Sequence, residues 1–211
     1  MFEENAQEIF LLKLGEVVLK GLNRRSFEDK LVSNVCRRVR RCGSFNVYLR
    51  QSTIYAEPQN AQCDMAEALT ACRQVFGVVS VAKAVPCAKD VTAIADTAAR
   101  YLKEEFAAAK TFKVESKRAD KLFRLNSIQI SQQVGGILAE RFPDVAVDVH
   151  KPDLTVYVEV REKAAYVHAP AAPGAGGLPI GMGGRAVSLL SGGIDSPVSS
   201  WMMARRGVEL E

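Results

Sequence analysis

The sequence predicts a mixed α/β chain in which two small modules precede the opening of a doubly wound α/β domain. Segments rich in β-branched residues alternate with amphipathic helical segments over most of its length. Near the C-terminal end, the apolar run at residues 186–190 leads without a spacer into a glycine turn and a helix, which is typical of a buried parallel strand. Of the 211 residues, 48% are hydrophobic, which is enough for more than one packed core.

The first module is predicted to contain a strand, a helix and a hairpin. Residues 7–14 form the strand, and Asn23 or Ser26 caps a helix whose apolar residues recur every four positions. Alternating apolar residues in 45–56 predict the hairpin. A polar connector follows, so we place the first domain, an α+β unit, at residues 1–58.

The second module, residues 59–166, is predicted to be an α/β domain. Its predicted elements are, in order, a helix at 64–75, a strand at 78–85 ended by Pro86, a long helix at 90–108, a strand at 111–118, a helix from Ser127 to the residue before Pro143, and two alternating strands at 145–149 and 154–160 joined by a turn. No catalytic cluster is evident in it. His150 and His168 are predicted to be strand-end or loop residues without a catalytic role.

The C-terminal part of the chain is predicted to begin a third domain. Residues 167–184, rich in Gly, Pro and Ala, are predicted to be a linker, and residues 185–211 begin the new domain. Only one strand, one helix and the opening of a second strand are present, whereas a doubly wound domain needs several strands covered on both faces. We therefore expect an incomplete domain with uncovered apolar surface. The residues expected to be uncovered are Leu189, Leu190, Trp201 and Met202.

The composition excludes several classes of protein. No apolar stretch reaches the ~18 residues that a bilayer span needs. The first five residues, MFEEN, include two glutamates and no basic residue, unlike the basic start of a signal peptide, so we expect a cytoplasmic protein. Five cysteines without a C-x-x-C pair and two histidines make no zinc pattern, so we expect reduced thiols and no metal held by protein side chains alone. The net charge of +4 does not by itself demand a nucleic-acid partner.

The segment Ser191-Gly-Gly-Ile-Asp-Ser196 has the chemistry of a phosphate loop. Its glycines allow a close backbone approach to an anion, and Pro197 suits the first turn of a helix whose N–H groups point at the same place. The two serine hydroxyls add donors. No lysine follows the glycines, so the loop is not of the Walker type. Asp195 is tolerable beside phosphates only if it helps to hold a divalent cation or caps the helix; the alternative is an ordinary strand, turn and helix corner.

The loop resembles the SGGxDS signature of the PP-loop pyrophosphatases, and every fixed position of that signature matches. The resemblance implies that ATP binds with Mg²⁺ and is cleaved between its α and β phosphates to adenylate a substrate. It also implies a catalytic role for Asp195 in positioning ATP and the cation. The nucleotide-binding residues that it implies are Leu189, Leu190, Ser191, Gly192, Gly193, Asp195 and Ser196.

A second resemblance follows the first predicted strand. The segment GEVVLKGLNRRSFEDKL resembles the start of the bacterial tRNA 4-thiouridine synthetases, the ThiI family of tRNA sulfurtransferases that also serve thiamine biosynthesis. The matching positions are Glu16, Leu19, Lys20, Gly21, Asn23, Arg24 and Phe27. The resemblance implies a ferredoxin-like first domain in which Lys20, Asn23 and Arg24 contact RNA. The basic helix face at residues 37–41 is either a further RNA contact or a solvated face.

The second module resembles the THUMP module of RNA-modifying enzymes. The resemblance rests on F-K-V-x-S-K-R before a polar turn and on K-P-D-L-x-V-x-V-E-V at the end of the module. It implies a cationic sheet edge suited to RNA phosphates that are recognised by shape. The cations are Lys117, Arg118, Lys121 and Arg124. The alternative is that they are simply exposed, with Glu115 and Asp120 as local partners.

Together the resemblances imply an ATP-dependent tRNA sulfurtransferase. Such an enzyme adenylates a tRNA uridine at its carbonyl oxygen, after which a persulfide delivers sulfur and AMP leaves; the same transfer serves the thiazole of thiamine. The implied partners are tRNA and a cysteine desulfurase or other persulfide donor, with a possible homodimer. The persulfide cysteine is expected beyond residue 211. The alternatives are another PP-loop RNA-modifying ligase and a stand-alone RNA-binding module.

Overall fold

A computed structural model describes residues 7–211, so the acidic start of the chain lies outside the described residues. The chain divides into two compact units. The first unit contains residues 10–81 and 172–211, and the second contains residues 7–9 and 82–171. In residues 7–211 no helix is long and apolar enough to cross a membrane.

The first unit begins with an alternation of strands and helices. Its elements are β1 (Ile9–Leu14), two 3-10 turns (Glu16–Leu19 and Gly21–Asn23), α1 (Arg24–Val39), β2 (Phe45–Arg50), β3 (Thr53–Pro58), α2 (Met65–Arg73) and the start of β4 (Val78–Cys87). The strands neighbour one another in the order β2, β3, β1, β4. This β-α-β-β-α-β series is the arrangement of ferredoxin-like folds. The predicted strand, helix and hairpin are confirmed.

The hairpin of β2 and β3 turns on two residues that are not glycine. Arg50 pairs with Thr53, so the loop contains only Gln51 and Ser52. Both have positive φ values, 47° and 57°. A two-residue hairpin loop needs this backbone because its twist matches the strands, although Asn-Gly is the usual sequence for it.

Helix α2 belongs to the core of the first unit. Asp64 caps it by accepting a hydrogen bond from the backbone N–H of Glu67 at 2.9 Å. Its buried Ala68, Ala71 and Cys72 share a core with α1 and the sheet. The sequence analysis placed this helix in the second module, whereas the structure packs it in the core of the first unit. Helical periodicity shows which face of a helix is apolar but not which sheet that face covers.

The second unit is a sheet covered by helices. Its elements are the end of β4, α3 (Val91–Tyr101), α4 (Lys103–Ala108), β5 (Thr111–Arg118), α5 (Ser127–Arg141), β6 (Ala146–Val147), β7 (Leu154–Val160) and β8 (Ala165–His168). The strand order is β4, β8, β7, β5, β6. Strand β5 is parallel to both β6 and β7, and β8 is antiparallel to β4 and β7.

Three expectations about the second unit are corrected. The long helix predicted at 90–108 is two helices, because the backbone of Leu102 leaves the helical region. Pro86 lies inside β4, paired with Tyr166, rather than ending the strand. The strand predicted at 145–149 is only two residues, and it lies beside β5 rather than forming a hairpin with β7. His168 is the last residue of strand β8, as expected of a strand-end residue, although the sequence analysis did not predict β8 itself.

The C-terminal segment of the first unit is more ordered than a linker. It contains β9 (Ala172–Pro173), β10 (Arg185–Ala186), α6 (Asp195–Arg205) and β11 (Glu209–Leu210). Strand β9 pairs with the start of β4. The intervening glycines are hydrogen-bonded, with the N–H of Gly176 donating to Val78 and the N–H of Gly181 donating to Gly207. Backbone hydrogen bonds therefore hold residues that have no side-chain periodicity.

Candidate nucleotide loop and RNA-binding surfaces

The predicted phosphate loop joins a short strand to a helix. Strands β10 and β11 are parallel, and residues 187–194 connect β10 to the start of α6. Side-chain hydroxyls close the loop. The Ser191 N–H donates to Ser196 Oγ at 2.9 Å, and the Gly193 N–H donates to Ser191 Oγ at 3.3 Å. The two serines therefore shape the loop in addition to offering donors to a ligand.

The loop leaves room above its glycines. A Cβ atom at Gly192 would meet no atom within 4 Å, and one at Gly193 would meet only Ser191 Oγ, at 3.6 Å. Neither glycine lies in the left-handed region. The fold of the described residues thus does not itself require glycine here, whereas an anion approaching the backbone would. The first N–H groups of α6 have no intrahelical acceptors and carry the positive end of the helix dipole.

Asp195 is the first residue of α6, and its side chain is exposed. Ile194 occupies the N-cap position without a side-chain cap, so Asp195 is not used as a cap. Within residues 7–211 no group of three or more His, Cys, Asp or Glu side chains is placed to hold a metal ion. A single carboxylate fits Mg²⁺ only where phosphate oxygens and water supply the other ligands, which is the usual arrangement for this ion.

The apolar residues beside the loop are uncovered, as predicted. Leu189 is 87% exposed and Leu190 is 72% exposed. The strand predicted at 186–190 is only the two-residue β10. Among the described residues β10 pairs with β11 alone, and that pairing extends over two residues. Trp201 remains about half exposed, with its ring edge against Phe76 at 5.7 Å between centroids.

The first basic surface consists of Lys20, Asn23 and Arg24, next to the two 3-10 turns. Lys20 Nζ lies 5.0 Å from the ring centroid of Phe27. Arg24 pairs with Glu28 at 2.7 Å and also donates to Ser52 Oγ. Asn23 occupies the predicted N-cap position of α1, but its side chain makes no capping hydrogen bond. The exposed side chains of Leu19 and Leu22 flank this surface, which the sequence analysis did not anticipate.

The second basic surface consists of Lys117, Arg118, Lys121 and Arg124, at the end of β5 and in the loop that follows. Arg118 differs from the others, because its guanidinium donates to the carbonyl oxygen of Phe123 at 3.1 Å. The other three side chains are exposed.

The acidic neighbours of the second basic surface have other partners. Asp120 is buried and accepts from Lys89 Nζ at 2.8 Å. The hydrogen bond from Lys89, with one from the backbone N–H of Leu122, holds the pKa of Asp120 below its usual value. Glu115 lies 3.5 Å from Lys113. The direct contacts of these two acids are thus with Lys89 and Lys113, and Asp120 also interacts electrostatically with Arg118.

A cavity of about 560 Å³ adjoins the second basic surface. Its lining includes Arg124, Lys89, Asp120 and the almost fully exposed Leu122. Sequence analysis missed Lys89 and Leu122 because each stands alone in the chain, without a motif. The one feature of the sequence that could have drawn attention to Lys89 is its position directly before Asp90, which caps α3.

The remaining reactive side chains show no sign of a further catalytic centre. All five cysteines are free thiols. Burial raises the pKa of Cys72 to about 12 and that of Cys87 to about 11, so neither is a reactive thiolate. His168 is buried against the ring of Tyr157, and His150 is exposed in a turn.

Family models match the chain in three consecutive parts. Residues 9–82 match the ThiI ferredoxin-like domain, and residues 88–168 match the THUMP domain. Residues 181–211 match the model described as thiamine biosynthesis protein (ThiI).

Curated relatives of this chain are named as probable tRNA sulfurtransferases. The chain is 43% identical over 207 residues to a probable tRNA sulfurtransferase of Acetivibrio thermocellus, covering 97% of this chain and 53% of that protein. It is also 43% identical over 206 residues to a probable tRNA sulfurtransferase of Alkaliphilus metalliredigens, covering 97% of this chain and 52% of that protein. The chain thus spans about half the length of the curated relatives it matches.

Solved structures share the fold over nearly the whole chain. One is a 4-thiouridine synthetase in complex with RNA and with bound ATP, 31% identical, with a TM-score of 0.81 over 97% of this chain and 51% of that one. Another is a protein of Pyrococcus horikoshii, 25% identical, with a TM-score of 0.84 over 97% of this chain and 67% of that one. The chain therefore belongs to the ThiI family and carries its ferredoxin-like domain, its THUMP domain and the start of its PP-loop domain.

Proposed function

We propose that the whole protein is an ATP-dependent tRNA sulfurtransferase. It adenylates a uridine of tRNA at its carbonyl oxygen, and the outer sulfur of a persulfide then displaces that oxygen as part of AMP. A thiol cleaves the remaining sulfur–sulfur bond, so the products are 4-thiouridine and a disulfide. The same sulfur transfer serves the thiazole ring of thiamine. The observation that carries the proposal is the open SGGxDS loop at a strand-to-helix junction, in a chain that shares its fold with a 4-thiouridine synthetase bound to RNA and ATP.

The loop residues have distinct roles in this proposal. The backbone N–H groups of Gly192 and of the first turn of α6 would donate to the phosphates of ATP, and Gly193, whose N–H donates to Ser191 Oγ, lets the phosphates approach the backbone. Ser191 and Ser196 hold the loop in shape through the hydrogen bonds described above. Leu189 and Leu190 offer apolar surface beside the nucleotide. Asp195 would help to hold Mg²⁺, with phosphate oxygens and water as the other ligands, and the ion would supply positive charge beside the phosphates.

RNA binding is assigned to the two basic surfaces. The exposed Lys117, Lys121 and Arg124 and the half-buried Lys20 and Arg24 neutralise phosphates and position the tRNA without reading bases, and Asn23 adds a polar contact. Arg118 contributes by holding the loop that presents Lys121 and Arg124. Few aromatic side chains lie nearby, so stacking is a minor contribution.

Sulfur reaches the enzyme from a cysteine desulfurase or another persulfide donor. None of the five cysteines of this chain is assigned the persulfide, because none lies in residues 172–211 beside the loop. A homodimer and a cytoplasmic location, where tRNA is processed, complete the proposal.

The decisive variant is Asp195→Ala in the whole enzyme. Pyrophosphate release should fall by at least ~100-fold, since removing one electrostatic contact in a transition state costs that much, while tRNA affinity stays within about twofold. The matched control is Glu209→Gln, which removes a partly exposed carboxylate of β11 paired with Arg185 and should leave both measurements unchanged. Pyrophosphate release at the parent rate in Asp195→Ala would show that Asp195 has another role.

A further inference from the structure

Strand β5 has an open edge in the second unit. It pairs with β7 from Phe112 to Arg118, but with β6 only at Thr111 and Phe112. On the β6 side, Phe112 accepts from the Asp148 N–H and the Arg118 N–H donates to Ser127 Oγ. Because alternate residues of a strand direct their backbone groups to the same side, Val114 and Ser116 face this edge too. Within residues 7–211 their N–H and C=O groups have no partner there.

A groove of about 420 Å³ runs along this edge. Val114 and Gly135 lie at its floor, and the exposed side chains of Ile128, Val147 and Val149 form its walls. Ser116 Oγ also lines the groove, buried and without a hydrogen-bond partner in the described residues. The groove therefore combines an apolar surface with unused hydrogen-bonding groups, both of which are costly to leave uncovered.

Two adjacent glycines of α5 differ in their relation to the groove. A Cβ atom at Gly135 would lie 3.7 Å from Val114 Cγ2, so a side chain there would occupy the groove. A Cβ atom at Gly136 would meet nothing within 4 Å, and Gly136 does not line the groove. Glycine weakens a helix interior by ~0.5–1 kcal/mol relative to alanine. The absence of a side chain at Gly135 keeps the groove open.

The opposite face of β5 is charged. Lys113, Glu115 and Lys117 alternate with the groove-facing residues, so their side chains lie on the other face of the sheet. Lys113 pairs with Glu115, whereas Lys117 is exposed and has no carboxylate partner in the part of the chain that the structure describes. An additional strand beside β5 would place every second side chain next to these cations.

We propose that an extended peptide segment of a partner protein adds as a strand to the open edge of β5. Its backbone pairs with Val114 and Ser116. Its apolar side chains enter the groove and alternate with side chains on the opposite face, where an acidic side chain lies beside Lys117. Strand addition to a free edge is an established mode of peptide recognition. A nucleic acid fits less well, because the side chains that face the groove carry no positive charge, and Lys113, whose backbone borders it, is paired with Glu115 on the opposite face.

The test uses a fluorescent peptide of eight residues that alternates valine and glutamate, blocked at both ends. Fluorescence anisotropy with the 211-residue chain should show saturable binding. The same peptide with N-methyl groups on alternate amides should bind at least tenfold more weakly, because it cannot pair with the strand, and this factor corresponds to about 1.4 kcal/mol. Gly135→Leu should weaken binding of the unmodified peptide by a similar factor, whereas Gly136→Leu should change it less than twofold.

Circular dichroism melting of both leucine variants ensures that each is folded. Equal binding by the parent chain, Gly135→Leu and the N-methylated peptide would overturn the proposal, as would the absence of saturation at ~1 mM peptide, where the binding free energy is only about 4 kcal/mol. Titration with a folded tRNA supplies the last comparison. If Gly135→Leu weakens tRNA binding while peptide binding is unchanged, the groove binds RNA and the peptide assignment is wrong.

Discussion

At the scale of single residues, the second basic surface divides into cations that face solvent and one that supports its own loop. Lys117, Lys121 and Arg124 are exposed, whereas Arg118 donates to a carbonyl oxygen of the loop. A motif match cannot separate these roles, because it records residue type and not the direction of a side chain. The structure therefore assigns different consequences to substitutions that look alike in sequence.

Single alanine substitutions at Lys117, Lys121 or Arg124 should each weaken tRNA binding. Each should also reduce the slope of log affinity against log salt by about 0.9 at most, because one phosphate contact is lost. Arg118→Ala should chiefly lower the unfolding temperature. Lys103→Ala, an exposed lysine of α4, is the control and should change neither quantity. Filter binding from low to high salt makes the comparison, and unchanged slopes in all three variants would remove this surface from the RNA site.

A second residue-scale prediction concerns the ion pair of Asp120 and Lys89. The native pKa of Asp120 is lowered from 3.8 chiefly by the Lys89 hydrogen bond, so its ionised form stabilises the fold. That stability is present above the unfolded pKa and is lost as pH falls through the native pKa. Asp120→Asn should therefore be less stable than the parent near neutral pH, with a difference that shrinks below a pH of ~4.

Urea denaturation at several pH values measures this difference. Asp144→Asn, which changes an exposed carboxylate in the same unit, serves as the control and should show no such trend. A difference that stays constant between neutral and acidic pH would mean that Asp120 acts through packing and not through its charge.

At the scale of elements, the regular strands and helices are predictable where one face is buried. Leu31, Val35 and Val39 are buried along α1 as the four-residue spacing predicts. The break at Leu102 is not predictable in this way, because Leu102 and Phe106 are both buried and keep the helical spacing across it. Nor is the order in residues 172–184, which depends on backbone hydrogen bonds.

Alanine substitutions at two glycines should change the free energy of unfolding in opposite directions. Gly136→Ala should raise the free energy of unfolding by ~0.5–1 kcal/mol, because alanine favours the helix and its Cβ meets no atom within 4 Å. Gly77→Ala should lower it, because φ is +103° and the new Cβ would lie 2.9 Å from Leu31 Cδ1. Urea denaturation of the two variants provides the measurement. Stabilisation by Gly77→Ala would contradict the described turn.

At the scale of the whole molecule, the order of the three domains is predictable from motifs, because each begins or ends with a short, distinctive segment. The motifs do not show which strands and helices surround each site. The phosphate loop is flanked by the two-residue strands β10 and β11 and by α6, with exposed leucines beside it. Adenine would find little surface to contact there, so loop contacts alone offset little of the entropy lost on binding.

The 211-residue chain assayed alone should therefore bind tRNA and fail to thiolate it. Nucleotide affinity should be weak although the loop motif is intact. The assay mixes the purified chain with tRNA, ATP, Mg²⁺ and a persulfide donor, and follows tRNA binding on filters beside the near-ultraviolet absorbance of thiolated uridine. Thiolated product would show that one of the five cysteines carries the persulfide. Failure to bind tRNA would show that the basic surfaces do not suffice.

The most direct test of the central claim is nucleoside analysis of tRNA treated with the whole protein. With ATP, Mg²⁺ and a persulfide donor, we predict 4-thiouridine in proportion to the pyrophosphate released, and none when ATP is omitted or when Asp195 is replaced by alanine. A different modified nucleoside would identify another PP-loop RNA-modifying enzyme, and 4-thiouridine formed without pyrophosphate would contradict the proposed role of the SGGxDS loop.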